Sequence, residues 1–469
     1  MKRTQTSSSR RSSWLTWGTL IAIGVIHLLA LPQVFIDAPL RLDSDTAAML
    51  DAVQQTGGLR GAWRWFTGDW LLENGFYRPI TSISIALDYA LYGETAWGFR
   101  LTNWLVMLLT AVGVRYLVLL YIRLQEVPRV EGLAAVTALV FSLQQTGLTA
   151  WVAKWSAWWF VGAVLVAGLV QRHFSKPQTP LDDAARHNAA IGRAFDKPTL
   201  WAWLFAIGAL FWGLDRALET HYGRLITWVP SRTALLGTLF SVWAIYCLLR
   251  GAEARRWGWL GLSGLLYLFA LGSYEQPIML APIVGALVIW QRRRWGAWGW
   301  KALGVFALVA LLIVTLRFGL LPTEPTRYQR QQLRSSLAGP LNTYLVELVP
   351  PLGQWQYWQS VGAHLEVLLV DKQGWNHIVG TLLYLGVVVA VWCWRRLLGS
   401  ALAWHALTFL PMAFLHFFEH YMYLPQVGKT LFDVALAGWG MQQVWVQRPC
   451  LFAKEPSRAQ ANAGAHQQV

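Results

Sequence analysis

The amino-acid sequence predicts an all-α polytopic membrane protein. Of its 469 residues, 55% are hydrophobic and only 13% are charged, whereas soluble domains carry about 25% charged residues. Apolar runs long enough to cross a bilayer core of about 30 Å recur along the whole chain. Lys and Arg also gather in alternate connections between these runs, as the positive-inside rule describes. These three observations define the fold class.

About twelve apolar runs are candidate transmembrane helices, which predicts a helical bundle of roughly that size. The first run follows the basic segment MKRTQTSSSRRSS and lacks a clear small-residue cleavage site. It therefore predicts a retained helix rather than a cleaved signal peptide. The runs span residues 14–36, 97–122, 132–152, 155–171, 199–214, 226–249, 257–273, 276–290, 299–321, 377–394, 400–418 and 422–446.

The basic residues predict the orientation of the bundle. With a cytoplasmic N-terminal segment at 1–13, the runs RGAEARR, QRRRW and WRR all fall on the cytoplasmic side, as does the basic loop 172–198. The tail 447–469 has no apolar period, so we expect a disordered cytoplasmic segment there. Both termini are thus predicted to be cytoplasmic.

The membrane domain is then 14–446, with two long extracytoplasmic loops at 37–96 and 322–376. Loops of that length are uncommon unless they are functional. Within the first loop, Pro79 fits the first turn of a short helix over 79–92. Within the second, residues 341–370 are predicted to lie along the membrane surface.

The net charge of +15 is explained by this topology. Nucleic-acid binding would require a soluble basic face, and the sequence contains none, so that function is excluded. Cys247, Cys393 and Cys450 all lie at predicted cytoplasmic ends, where they cannot form an extracytoplasmic disulfide. The compact chain without outer cysteines favours a bacterial plasma membrane.

Two aspartates follow the first predicted helix in RLDSDTAAMLD. Asp43 and Asp45 share one face of an extended segment but diverge on a helix. A carboxylate near the membrane surface could accept a proton from a hydroxyl group, which is the usual role of a general base. The alternatives are solvated loop acids, or Asp45 as the cap of a helix that begins TAAML.

The stretch ENGFYRPITSISIALD places an arginine at the start of the predicted helix over 79–92. The planar guanidinium of Arg78 suits phosphate oxygens, and a helix start adds partial positive charge. These features predict a phosphate site at the membrane interface, with Tyr77 packing where lipid meets water. The alternative is a structural Arg78 paired with Glu73 or Asp88.

Further ionisable residues occupy predicted extracytoplasmic ends. Arg232 lies in WVPSRTALL at the start of an apolar run, and Glu275 lies between two such runs in GSYEQPIML. Glu419, His420 and Tyr421 follow in FFEHYMYLPQVG. Such residues near the bilayer are costly and usually functional, so we expect one outward-facing cavity. The alternatives are that Glu275 is a loop or helix-start acid and that His420 is structural.

Four stretches together resemble a known family. They are Tyr77-Arg78-Pro79 with the helix that follows, WVPSRTALL at 228–236, SYEQP at 273–277 and YMYLPQVG at 421–428. In this order they resemble the GT-C superfamily of integral-membrane glycosyltransferases. The likeness covers most of residues 15–446 and is greatest to the transmembrane-and-tetratricopeptide O-mannosyltransferases and their bacterial relatives.

The resemblance implies a GT-C-like bundle and transfer of a sugar, such as mannose or another hexose, from a polyprenyl-phosphate donor. The acceptor would be a hydroxyl of a protein, glycan or lipid on the extracytoplasmic side. It implies Asp43 or Asp45 as the base, or Asp37 in another register. Donor and lipid-phosphate binding would fall to Tyr77, Arg78, Arg232, Glu275, His420 and Tyr421. A divalent cation is allowed but not required.

The sequence also departs from the family pattern. Tyr274 replaces the expected lysine, His420 replaces an arginine, Ala234 replaces an aspartate, and no tetratricopeptide repeats follow the membrane region. Two alternative functions therefore stand beside the enzyme. One is a transporter or flippase for a lipid-linked sugar, although inverted repeats are not evident. The other is a catalytically inactive relative.

Overall fold

The computed structural model describes residues 6–125, 130–148, 224–322, 324–332, 395–413, 415 and 418–446. Helices dominate these ranges, in agreement with the predicted all-α class. The α-helices in chain order are α1 (Thr6–Ala30), α2 (Ser44–Gln55), α3 (Arg64–Thr67), α4 (Pro79–Tyr92), α5 (Ala96–Leu124), α6 (Val130–Gln145), α7 (Arg232–Ala254), α8 (Trp257–Leu271), α9 (Leu280–Trp290), α10 (Arg292–Leu320), α11 (Arg327–Gln332), α12 (Arg396–Ala413) and α13 (Tyr423–Val446).

Four segments in the described ranges are long and apolar enough to cross a membrane. They are Trp14–Phe35, Ala96–Leu124, Val229–Ala254 and Arg292–Leu320. Two shorter apolar helices, Trp257–Leu271 and Gln276–Trp290, coincide with further predicted runs. The chain is thus a membrane protein by the length and composition of its helices. The predicted runs 155–171, 199–214 and 377–394 lie outside the described residues, as do the loop 172–198, the segment 341–370 and the tail 447–469.

The outer surface of α10 is apolar. Leu308 is 67% exposed, Leu311 is 63% exposed and Phe318 is 62% exposed. A contiguous apolar surface of this kind is rare on soluble monomers and is the normal state of a helix that faces lipid. The buried core lies instead where α5, α7 and α8 pack side by side, with α6 and α13 against α5 and α7.

The first long loop folds into a compact helical cap over the end of the bundle. Its apolar core includes Met49, Leu50, Trp65 and Ile85, and this core extends to Phe99 at the start of α5. The predicted helix over 79–92 is present as α4, which begins at Pro79. The cap therefore holds α2 and α4 in fixed positions above the membrane helices.

Asp43 caps helix α2. Its carboxylate accepts hydrogen bonds from the Thr46 backbone N–H at 2.8 Å and from the Thr46 hydroxyl at 2.7 Å. The alternative in which Asp45 is the cap is wrong, because α2 begins at Ser44, before Asp45. A carboxylate at this position satisfies an N–H that has no partner within the helix.

Two distant segments dock on the cap. The Ile80 N–H donates to the Gly272 carbonyl at 3.0 Å, which joins α4 to the connection after α8. From the second loop, the Thr326 hydroxyl donates to the Asn74 carbonyl at 2.9 Å. Gly75 is required here because its φ is +89° and because an added Cβ would lie 2.6 Å from Gln329 Nε2. Both long loops thus meet around residues 74–80.

Candidate functional site

The candidate site is a buried arginine held by one carboxylate and three aromatic rings. Arg78 precedes α4, and its Nε and Nη2 donate to the two carboxylate oxygens of Glu275 at 2.9 Å and 2.7 Å. Its guanidinium carbon lies 4.6 Å from the centre of the Trp70 ring, 4.3 Å from Phe76 and 4.9 Å from Tyr274. We call these five residues the Arg78 cage.

The partner of Arg78 is Glu275, not Glu73 or Asp88 as the structural alternative proposed. The Arg78 side chain is 10% exposed, whereas that of Glu275 is 37% exposed. Burial alone would lower the pKa of Arg78, but the charge and hydrogen bonds of Glu275 outweigh it, so the pKa is raised. The guanidinium therefore stays charged, and its carboxylate partner is the member of the pair that solvent can reach.

Asp69 holds the loop that carries two of the cage rings. Its carboxylate accepts hydrogen bonds from the backbone N–H groups of Trp70, Gly75 and Phe76, at 2.8, 2.6 and 3.0 Å. Burial raises the pKa of Asp69, and these three N–H groups partly oppose that rise. Asp69 was not among the predicted site residues. An aspartate ahead of an Asn-Gly pair is a turn signal that could have identified it.

The fourth stretch of the resemblance lies beside the cage. The His420 ring centre is 4.6 Å from that of Tyr421 and 5.1 Å from that of Trp228. Burial and the nearby charge of Arg78 lower the pKa of His420 to about 3, so its imidazole is neutral at physiological pH. The Gln276 amide joins this stretch to the third by donating to the Tyr421 carbonyl at 2.8 Å.

Arg232 lies in a separate buried network. It donates to Asp88 Oδ2 at 2.7 Å, to the Ser84 hydroxyl at 2.8 Å and to the Phe99 carbonyl at 2.9 Å, and it also contacts the Asn103 side-chain oxygen. Its side chain is fully buried. This geometry fixes α7 against α4 and α5. Binding of a lipid phosphate by Arg232 stays a prediction.

Tyr77 points into the cap. Its side chain is 5% exposed, and its hydroxyl donates to the Phe66 carbonyl at 3.0 Å. The expectation that this ring packs where lipid meets water is therefore wrong. Neighbouring side chains on an extended segment face opposite ways, so Arg78 reaches the cage while Tyr77 packs behind it. Donor binding by Tyr77 stays a prediction.

The three candidate bases differ in their surroundings. Asp43 is committed to capping α2, and Asp37 is exposed in the connection before α2. Asp45 is also exposed, but partial desolvation by nearby atoms and the charge of Asp43 raise its pKa. The charge of Asp45 also acts on Tyr328, whose ring packs edge to face against Phe76 of the cage at 6.4 Å. Of the three candidate bases, Asp45 is thus the one whose charge acts on a ring that packs against the cage.

The resemblance allows a divalent cation, which would need side chains that can act as its ligands. Within the described ranges, no group of three or more His, Cys, Asp or Glu side chains could hold a metal ion. Asp43 and Asp45 alone supply two carboxylates, one of which already serves as a helix cap. Because one or two carboxylates together with substrate phosphate oxygens can hold Mg²⁺, binding of this cation stays a prediction.

The site joins all four stretches that carry the family resemblance. Arg78 comes from the first stretch, and Tyr274 and Glu275 come from the third. The His420 ring contacts both Trp228 of the second stretch and Tyr421 of the fourth. Comparison of the chain with models of protein families, with curated proteins and with solved structures finds no match.

Proposed function

We propose that this protein is a membrane glycosyltransferase of the GT-C type. It would transfer a sugar, mannose or another hexose, from a polyprenyl-phosphate donor to a hydroxyl of a protein, glycan or lipid. The observation that supports the proposal best is the Arg78–Glu275 pair at 2.7 Å inside an aromatic cage. The two partners lie 197 positions apart in the chain and belong to two of the four stretches that resemble the family.

Arg78 would hold the phosphate that leaves. A guanidinium that is already bound to a carboxylate at two atoms has the geometry to bind two phosphate oxygens. Glu275 is the partly exposed partner, so an entering phosphate would displace the carboxylate from the Arg78 fork. Negative charge grows on the phosphate as the bond to the sugar breaks, and a fixed cation in a dry site stabilises that charge.

Asp45 would act as the base. It would accept the proton of the acceptor hydroxyl while that oxygen attacks the anomeric carbon. The bond from this carbon to the phosphate oxygen would break on the opposite face, with inversion, and the electron pair would leave on the phosphate. Partial desolvation and Asp43 raise the pKa of Asp45. Transfer should therefore be lost on acidification at a higher pH than for an ordinary aspartate, whose pKa is about 3.9.

The bundle itself would be GT-C-like, with about twelve membrane helices as the hydropathy predicts. The N- and C-termini would lie in the cytoplasm of a bacterial cell, and the Arg78 cage would lie outside the plasma membrane.

One observation favours a second candidate, a transporter or flippase for a lipid-linked sugar. Lys429 and Asp433 form an ion pair at 2.5 Å within α13, and their side chains are only 6% and 1% exposed. Gln144 of α6 accepts a hydrogen bond from the neighbouring Thr430 at 2.7 Å. Charged residues at membrane depth often mark transport pathways. A third candidate is an inactive relative in which Glu275 occupies the Arg78 guanidinium and prevents it from binding phosphate.

The deciding experiment supplies membranes containing the full chain with a labelled polyprenyl-phosphate mannose or glucose. An enzyme releases the label to an acceptor, or to water, whereas a flippase moves intact donor and an inactive relative does neither. Asp45→Asn is expected to lower transfer at least about a hundredfold, as removal of a general base does. Asp43→Ala should act through loss of the α2 cap, with a fall in melting temperature. Full transfer by a folded Asp45→Asn protein would show that Asp45 is not the base.

A further inference from the structure

Two basic turns meet at the end of the bundle opposite the cage. One joins α7 to α8, and the other comprises the end of α9 and the first turn of α10, before the break in α10 at Gly296. Arg255 connects them, because its Nη1 donates to the Trp295 carbonyl at 2.5 Å and its Nη2 contacts the Arg294 carbonyl. This end therefore gathers the arginines of both turns, and we call it the arginine-rich end.

Three consecutive arginines at this end form no ion pair with the carboxylates that the structure describes. Arg292, Arg293 and Arg294 are exposed. No carboxylate lies within ion-pair distance of them in the ranges that the structure describes. Other arginines at the same end do have acidic partners, such as Arg250 with Glu253 at 3.2 Å. Three adjacent guanidinium groups without a counter-charge repel one another, so an anion that bridges them would be stabilised.

These arginines border an open cleft of ≈ 490 Å³. Ile289, Trp290 and Gln291 complete its lining. Ile289 is 59% exposed, so the cleft presents an apolar wall beside a cationic one. Farther along α10, beyond the break at Gly296, Leu308 and Leu311 are exposed. A ligand that fits both walls has an anionic head and an apolar chain.

We propose that the cleft at residues 289–294 binds the headgroup of an anionic glycerophospholipid, with its acyl chains along α10. Guanidinium forks match phosphate oxygens at two atoms. Basic pockets between membrane helices on the cytoplasmic side are suited to such headgroups, because that leaflet carries the anionic lipids. A free phosphate would satisfy the arginines but would leave the apolar wall uncovered. The proposal does not depend on the sugar-transfer activity.

The test uses the full chain purified in a nonionic detergent. Phosphatidylglycerol and phosphatidylcholine are titrated separately, and bound lipid is counted by native mass spectrometry. We expect saturable binding of phosphatidylglycerol that exceeds binding of phosphatidylcholine. One basic residue near an anionic lipid surface typically raises the affinity roughly fivefold. The triple variant Arg292→Gln, Arg293→Gln, Arg294→Gln should therefore lose affinity on the order of 100-fold.

A matched control removes three exposed arginines from the opposite end, by Arg60→Gln, Arg64→Gln and Arg330→Gln. It changes the net charge equally and should keep the affinity. The variant Arg292→Lys, Arg293→Lys, Arg294→Lys keeps the charge and the topology signal but lacks the planar fork, so it should bind more weakly than the native chain. It also decides the question if the glutamine variant does not fold.

Three results would overturn the proposal. Equal affinity in the lysine variant would show diffuse attraction rather than a built site. Equal loss in the matched control would show an effect of net charge alone. Displacement of the lipid by millimolar inorganic phosphate as effective as by glycerophospholipid would identify a free phosphate site instead.

Discussion

At the scale of single residues, Arg78 pairs with Glu275 and not with Glu73 or Asp88, the partners that the sequence suggested. Its charge is balanced by Glu275, and its faces are covered by Trp70, Phe76 and Tyr274. Cation–π contacts of this kind contribute about 0.5–2 kcal/mol each, depending on desolvation. The cage thus holds one cation in a fixed place, and solvent can reach it through the Glu275 carboxylate.

We predict that Glu275→Gln destabilises the protein more than Glu73→Gln does. The first substitution leaves a mostly buried guanidinium without its counter-charge, which costs about 1–3 kcal/mol. The second removes the same charge from an exposed side chain and should change the free energy of unfolding by less than about 0.5 kcal/mol. Melting temperatures of the two purified variants, compared with the native chain in the same detergent, test this. Equal melting temperatures would contradict the structural role of the pair.

At the scale of elements, the cap is joined to the start of the second loop through residues 74–76. Gly75 contributes its carbonyl to Gln329 Nε2 at 2.8 Å, and Asn74 accepts from Thr326. These bonds place α11 and its Tyr328 against Phe76. The start of the second loop is therefore part of the wall around the cage.

We predict that Gly75→Ala loosens α11 from the cap. A second variant, Gly93→Ala, is the matched control, because Gly93 also has a positive φ of +61° but no atom within 4 Å of an added Cβ. Both substitutions place a Cβ at a positive φ, which strains the backbone. Only the first displaces Gln329 and Thr326.

The measurement for this pair is limited trypsin cleavage after Arg327 and Arg330, which lie in α11. Cleavage should be faster in Gly75→Ala than in Gly93→Ala at equal melting temperature. Equal cleavage rates in the two variants would mean that contacts at Gly75 do not hold α11.

At the scale of the whole molecule, the two ends of the bundle differ in charge. Asp45, Asp69 and Glu275 lie at the end with the cage, whereas Arg255 and Arg292–Arg294 lie at the opposite end. Between the two ends, α10 presents apolar side chains outward. A cluster of arginines next to the ends of membrane helices is the kind of charge that orients a protein across a bilayer.

We predict that the cage faces outward and the arginine-rich end faces the cytoplasm. Single cysteines at Ser44 and Ala297, both exposed, report the two ends in a chain whose native cysteines are replaced by alanine. A membrane-impermeant maleimide should label Ser44→Cys in intact cells and Ala297→Cys only after permeabilisation. The reverse pattern would overturn the topology and, with it, the extracytoplasmic location of the proposed reaction.

Much of the local structure follows from sequence. The start of α4 at Pro79 is predicted because proline lacks an N–H that this position would leave unpaired. The cap of α2 is harder to predict, since both aspartates of DSDT are acceptable caps. The structure shows that the helix begins at Ser44, so Asp43 is the cap. Asp69 escaped prediction because its three N–H partners are fixed only by the course of the loop.

The sequence by itself determined the membrane class and the positions of the apolar helices that the structure describes, and it singled out Arg78 at the start of α4, because hydrophobicity and helix-start chemistry are local properties. Only the tertiary structure decided that Arg78 meets Glu275 and that Arg232 meets Asp88. Pairing of charges depends on which helices pack together. That choice is made by contacts between segments more than a hundred residues apart, which a pattern along the chain does not encode.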